Sequence, residues 1–259
     1  MKVHLAWLIA APLLMACTTK ITPTAQAPSE LTAQAADGVT VYGTTRFDDL
    51  PDTAPLILLF HQGGSNARAE YAPLIPWFHE YGYRVIAWDL RAGGGIHGLE
   101  NRTAEAILPD EARSYCEGYA DMQAALEASR ALSPSGRAII WGSSYSAALV
   151  FHLVADNPDS IIAVVSASPA SGSPMADCLA RARLAELNRP ALVLRPASEM
   201  ERESAQKQKA LFDAAGVPVM VFENGVHGSS MLVDARTEAD MTDARAAVMT
   251  WLNQTLEPS

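Results

Sequence analysis

The chain has 259 residues, 49% of them hydrophobic, and its 19 basic and 29 acidic side chains leave a formal net charge of −10. That balance excludes a nucleic-acid partner, whose phosphates call for a basic stripe, and the apolar share is ample for a single core. Length alone permits one large domain or two small ones, but strands alternate with helices without a linker-like break after residue 38, so one domain is expected.

Residues 1–16 join a basic start at Lys2 to a short apolar run with small residues at its end. The run is too short to cross a bilayer and reads as a secretory signal peptide. Leu14-Met15-Ala16-Cys17 resembles a bacterial lipobox, which implies that Cys17 is lipidated and becomes the mature N-terminus. Thr18, rather than Asp, follows it, which favours the outer membrane and a periplasm-facing protein. The competing reading is an ordinary signal peptide that happens to contain Cys17. Residues 17–37, rich in Thr, Ala, Pro and Gln, read as a flexible tether, leaving 38–259 as the folded domain.

Gly38 to Phe47 alternates as an edge strand or hairpin should. Leu56 to Phe60 is a buried strand that runs into His61-Gln62-Gly63-Gly64-Ser65. Arg68 to Tyr81 has helical character that Pro73 and Pro76 confine or kink. Arg84 to Trp88 is the next strand, ending at Asp89. Gly93-Gly94-Gly95-Ile96-His97-Gly98 matches G-x-G-x-x-G literally, but residues 101–109 read as loop, and a nucleotide fingerprint requires a helix directly behind it. A flexible loop near the site is expected instead. Asp110 to Leu132 is predicted as a long helix capped by Asp110. Ala138 to Trp141 is a buried strand and Ser144 to Asp156 the helix after it, with a further strand at Ile161 to Val165. Met175 to Leu187 is predicted helical, Ala191 to Leu194 a strand, Met200 to Ala215 a helix ended by Gly216, Val217 to Phe222 the last strand, and Thr237 to Leu252 the closing helix. This alternation predicts an α/β fold: a doubly wound, mostly parallel sheet with helices on both faces. The segments open to a lid, Arg91–Pro109 and Ser166–Pro174, are too modest for a large cap domain.

Between the strand ending at Trp141 and its helix stands Gly142-Ser143-Ser144-Tyr145-Ser146, which fits G-x-S-x-G except that Ser146 replaces the last glycine. Such a turn exposes a nucleophilic serine above the sheet and brings the residues two before and two after it together, so both must be small. Gly142 and Ser146 meet this for Ser144, whereas Ser143 would have Trp141 upstream. The turns after two later strands carry Glu199 and Gly225-Val226-His227-Gly228, so nucleophile, acid and base candidates follow one another in the order such a site requires. Each lies at a strand's C-terminal end, where open α/β sheets place their sites.

On His61-Gln62-Gly63-Gly64, Gly142-Ser143-Ser144-Tyr145-Ser146 and Gly225-Val226-His227-Gly228, the chain resembles the α/β-hydrolase superfamily and its small serine-esterase and dienelactone-hydrolase-like branch, over roughly residues 38–252. The resemblance implies Ser144 as nucleophile, His227 as acid–base and Glu199 as the acid that orients it, with Glu201, Glu223 and Asp177 as substitutes for Glu199. Tyr145 N–H would supply one oxyanion donor and Gly63 or Gln62 the other, each worth roughly 3 kcal/mol. His61 would shape its loop by hydrogen bonding. Trp88 and Trp141 are core; Arg91 and Arg195 lie near strand ends where an anionic substrate could meet them. In the resembling fold Cys116 and Cys178 both lie over the sheet's C-terminal face, so a bridge between them is conceivable, beside the alternative of two free thiols. No zinc or calcium pattern occurs, and neither a metal nor another cofactor is expected. The implied activity is hydrolysis of a small-molecule carboxylic ester by a lipid-anchored enzyme of the bacterial cell envelope. The same triad serves thioesterases, amidases and peptidases, and the reading from another class is a catalytically silent envelope-binding lipoprotein.

Overall fold

The computed structural model describes residues 28–47, 50–107, 114–133 and 135–256. The expected signal peptide, Cys17 and the start of the tether lie outside the described residues, as does Asp110. Eight strands form one sheet: β1 (Glu30–Gln34), β2 (Thr40–Arg46), β3 (Leu56–Phe60), β4 (Arg84–Asp89), β5 (Ala138–Ser143), β6 (Ile161–Ala167), β7 (Ala191–Pro196) and β8 (Val219–Phe222). Their order is β1-β2-β4-β3-β5-β6-β7-β8. The β1–β2 and β2–β4 pairs are antiparallel and every other neighbouring pair is parallel. This is the doubly wound α/β arrangement that the alternating elements predict, and no large cap is present among the described residues.

The apolar runs of the central strands follow from burial on both faces. In β3, Leu56, Leu58 and Phe60 enter the core beneath α4 (Gly118–Arg130) and α5 (Tyr145–Asp156), with Met122, Leu126, Leu149 and Leu153. Ile57 and Leu59 point the other way, to a core with Tyr71, Trp77, Phe78, Val248 and Leu252 from α1 (Ala67–Tyr71), α2 (Ile75–Glu80) and the closing α9 (Thr242–Leu256). Trp88 and Trp141 are fully buried, one in each core, and their indole N–H groups donate to Ser129 Oγ and Ser229 Oγ.

Several expected elements differ. Part of the predicted tether is strand: β1 packs Leu31 and Ala33 against the core and exposes Glu30, Thr32 and Gln34. A hairpin turn at Gly38, whose φ is +90°, joins it to β2, so β2 has a partner on each side. The Arg68–Tyr81 segment splits at Pro73 into α1 and α2, and residues 101–109 include a short helix, α3 (Arg102–Ala106), capped by the Asn101 side chain. The long helix begins at Gly118, not Asp110. Ahead of it, Ser114 N–H donates to Glu117 Oε2 and Glu117 N–H to Ser114 Oγ, which closes the turn leading into the helix. The expected Met175–Leu187 helix is instead a chain of 3₁₀ turns at Ser173–Met175, Ala180–Ala182 and Leu184–Glu186. It is fastened by a disulfide between Cys178 and Cys116. Further along, α6 (Ala197–Met200) and α7 (Glu203–Ala214) divide the segment after β7, and α8 (Asp234–Thr237) precedes α9.

Candidate active site

Ser144 stands between β5 and α5 with φ 59° and ψ −113°. Positive φ costs a non-glycine residue about 1–3 kcal/mol and persists only where the surroundings enforce it. Here Ser144 N–H donates to Ala167 O at 2.9 Å and Ser144 O accepts from Ala170 N–H at 3.0 Å. A side chain at Gly142 would place its Cβ 2.6 Å from Ser146 O and 2.7 Å from Ala147 N, so only glycine fits two residues before the apex. Ser146, two after it, accepts from Ser143 N–H at 2.8 Å and donates to Phe60 O at 2.9 Å. Its hydroxyl therefore ties the turn to the end of β3, a link glycine would lack.

The three residues expected as nucleophile, base and acid come together. Ser144 Oγ lies 2.8 Å from His227 Nε2, and His227 Nδ1 lies 2.5 Å from Glu199 Oε1. Burial alone would raise the Glu199 pKa, but the hydrogen bonds from His227 and from Arg195 outweigh it and hold the carboxyl at about 2. An ionised Glu199 only accepts, so Nδ1 carries the imidazole proton and the Nε2 lone pair faces the Ser144 hydroxyl. Glu201, Glu223 and Asp177 are exposed and make no bond to His227. Arg195 proves to hold the acid rather than to await an anion: it is buried, and its Nη1 donates to Glu199 Oε2 at 2.6 Å. Its Nη2 donates to Pro169 O and to Gln208.

The loop that carries His227 is pinned from below. Ser229 N–H donates to Ser143 Oγ at 2.9 Å, and Ser229 Oγ accepts the Trp141 indole N–H at 2.9 Å. Ser143 is fully buried and faces away from the apex side of Ser144.

Of the two amides that the sequence leaves open opposite Tyr145, the structure removes Gln62. Its N–H donates to Glu70 Oε2 at 2.9 Å, a carboxylate buried on α1 whose pKa burial raises. His61 settles the direction of the next peptide. Burial lowers its pKa to about 4, so the ring is neutral. Its Nε2 accepts from Leu90 N–H at 2.8 Å, which leaves the proton on Nδ1, donated to Gln62 O at 2.7 Å. In a trans peptide the N–H opposes the carbonyl. With Gln62 O held toward His61, Gly63 N–H points the other way and has no acceptor among the described residues. Tyr145 N–H, at the first position of α5, is equally unoccupied. Over this loop lies Tyr115, stacked on Tyr145 with 4.7 Å between ring centroids. A Cβ on Gly63 would fall 2.5 Å from the Tyr115 hydroxyl, so the loop and its cover fit only with glycine there. Sequence reasoning missed Tyr115 and Glu70: both lie beside motif residues in space, and no spacing rule links them to the motif.

Two further expectations are corrected. Arg91 meets no open site: it is buried and ion-pairs with the buried Asp121 and with the exposed Asp37. The glycine run at 93–98 is no free loop. Gly94 N–H donates to Ser65 O, Ile96 N–H to Gly64 O, and a Cβ on Gly94 would lie 2.8 Å from Gly64 O. Gly93 and Gly94 serve close backbone packing against the loop that follows β3.

Comparison with known proteins agrees with this architecture. Residues 55–210 match the model of the alpha/beta hydrolase fold family. The structure of an esterase from Pyrococcus furiosus superposes with a TM-score of 0.63 at 13% identity, covering 98% of this chain and 100% of that one. A dienelactone hydrolase from Anabaena variabilis gives 0.58 at 15% identity, covering 89% and 99%. An acylaminoacyl peptidase from Pyrococcus horikoshii gives 0.62 at 15% identity over 90% of this chain but 42% of its own length. No curated protein matches the chain by sequence.

Proposed function

The chain belongs to the alpha/beta hydrolase fold family, and from that premise we propose that it is a serine hydrolase cleaving carboxylic esters through Ser144, His227 and Glu199. The observation that carries the reading is the unbroken chain from Ser144 Oγ to His227 and on to an ionised Glu199. In this reading His227 Nε2 takes the proton as Ser144 Oγ attacks the acyl carbon. The carbonyl oxygen gains charge and would be met by the Tyr145 and Gly63 amides, neither of which has an acceptor among the described residues; such donors are worth roughly 3 kcal/mol apiece. The proton on His227 passes to the departing alkoxide, leaving an acyl-enzyme, and water activated by the same imidazole releases the acid. Glu199 keeps the imidazole in the right tautomer and stabilises its protonated form.

A fluorophosphonate probe tests the reading. Labelling of the wild type that vanishes in Ser144→Ala, together with loss of ester turnover, is the expected result. A wild type that neither labels nor turns over small aryl and alkyl esters overturns it in favour of the silent lipoprotein. We propose in addition that Cys17 is lipidated and anchors the domain to the outer membrane facing the periplasm, through a tether shortened by β1; the motif at residues 14–17 supports this.

A further inference from the structure

The two amides assigned to the oxyanion belong to Gly63, after β3, and to Tyr145, at the start of α5, and one side chain touches both residues. Tyr115 stacks on the Tyr145 ring with centroids 4.7 Å apart and planes 15° apart. Its hydroxyl end lies so close to Gly63 that a Cβ there would fall 2.5 Å from the oxygen and 2.8 Å from Cε1. The Tyr145 ring is itself fully buried and closely packed against the start of α4, since a Cβ on Gly118 would lie 3.1 Å from its Cε2. Hydrogen bonds hold one end of each peptide that flanks Gly63: Gln62 O accepts from His61, and Gly64 N–H donates to Ala92 O at 3.1 Å. Glycine loses more backbone freedom on ordering than any other residue, and the packing on the Gly63 Cα is supplied by Tyr115.

Tyr115 is half-buried and precedes α4, and the backbone hydrogen bonds of residues 114–117 close only on that segment and on the first turn of α4. The tie beyond them is covalent: Cys116, the next residue, is bridged to Cys178. Cys178 is buried with Met175 and Ala180 in the core that α5 enters with Leu149 and Leu153. The bridge therefore joins the segment carrying Tyr115 to turns seated on the helix whose first residue is Tyr145.

Resting on the hydrolase reading, we propose that Tyr115 is a positioning residue for the oxyanion amides and that the Cys116–Cys178 bridge serves the reaction by holding Tyr115 in place. The ring acts by packing: it fixes the Gly63 loop against the start of α5, so both amides meet the same oxygen as charge develops. Such donors help only if they are in place beforehand, and an error of about 1 Å can cost about 10²-fold in rate. Tyr115 makes no hydrogen bond to Ser144, His227 or Glu199, so the proton transfers along that chain do not depend on it.

The test is hydrolysis of 4-nitrophenyl acetate by the full-length protein, well below its melting temperature. Tyr115→Ala should lower kcat by about 10–100-fold and leave KM within about threefold. The midpoint of its kcat–pH profile should stay at the wild-type value, because His227 and Glu199 keep their bond. Tyr115→Phe retains the ring and should stay within about threefold of wild type in kcat. Cys116→Ser/Cys178→Ser should lower kcat several-fold, and dithiothreitol should bring the wild type to the same value while leaving that variant unchanged. Added to Tyr115→Ala, loss of the bridge should lower kcat little further, since both act through one contact. An unchanged kcat in Tyr115→Ala overturns the proposal. So does a loss in Tyr115→Phe as large as in Tyr115→Ala, which would make the hydroxyl itself a donor. Multiplying effects of ring and bridge also overturn it, since the bridge would then act elsewhere. If Tyr115→Ala does not fold, the double cysteine variant and the reduced wild type carry the test, and an unchanged kcat in both overturns it. Absence of turnover in the wild type removes the hydrolase reading and the role of Tyr115 with it.

Discussion

Replacing Ser143 with alanine removes a fully buried hydroxyl that accepts the Ser229 N–H at 2.9 Å. The orphaned amide then costs about 1–3 kcal/mol, which for a domain of this size is a fall in Tm of roughly 2–12 °C. The contact from Ser144 through His227 to Glu199 is not touched directly, so kcat for an aryl ester should stay within about tenfold of wild type. Ser144→Ala should do the reverse. It removes only a part-exposed hydroxyl and should shift Tm by no more than about 2 °C, while kcat should drop by about 10⁶-fold if the serine is the nucleophile. Thermal melts and one ester assay on both variants decide the matter. An inactive Ser143→Ala beside an active Ser144→Ala would refute the register of the turn, and with it the oxyanion role of Tyr145. A Ser143→Ala melt indistinguishable from wild type would refute the claim that this hydroxyl anchors the His227 loop.

Glu199→Gln should lower kcat by about 10²–10⁴-fold and still leave more activity than Ser144→Ala or His227→Ala; near-full activity would hand the role to Glu201, Glu223 or Asp177. Because the folded carboxyl titrates at about 2 against an ordinary 4.5, its stabilisation is complete above pH 4.5 and lost as pH falls toward 2. The stability gap between wild type and Glu199→Gln, measured by denaturant melts, should therefore be flat above pH 4.5 and shrink below it; a gap that widens in acid contradicts this. Gly142→Val should yield little folded, active protein by expression and ester assay, because its Cβ meets backbone at 2.6 Å, whereas Ser146→Gly should keep the turn but melt lower. Cys17→Ala should lose detergent-phase partition if residues 14–17 direct lipidation, and retained partition would refute that.

Legibility in the sequence followed the range of the forces involved. The parallel strands were readable because burial on both faces demands continuous apolar runs such as Leu56 to Phe60. Ser144, Glu199 and His227 were readable because each sits on the turn directly after a strand, so chain order and sheet order together imply their meeting. β1 was missed because Glu-Leu-Thr-Ala-Gln has only two apolar inward positions, Leu31 and Ala33, in a segment whose composition reads as tether, and its stability comes from pairing with β2. The helix at Met175 was overpredicted because apolar composition does not reveal that a disulfide and Pro174 hold the segment in 3₁₀ turns. The choice between Gln62 and Gly63 was closed to sequence because it depends on Glu70, a buried carboxylate eight residues on, whose inward direction no local pattern announces.

Ser146, where the G-x-S-x-G turn would have glycine, bears on how the loops of the site are held together. Three separate loops must hold their geometry at once: the loop after β3, the turn after β5 and the loop after β8 that carries His227. Ser146 links the second to the first through Phe60 O, the carbonyl immediately before His61. Ser143 links the second to the third through Ser229 N–H. The third loop also approaches the first two closely: a Cβ on Gly228 would lie 2.8 Å from Gln62 Oε1 and 2.5 Å from Ser143 Oγ, so only glycine fits there. Glycine at 146 would leave the turn without its side-chain bond to the end of β3 and with more backbone freedom to restrict. The Ser146 hydroxyl substitutes a fixed contact for that freedom, which the proposed chemistry would use, since oxyanion donors must be in place before charge develops.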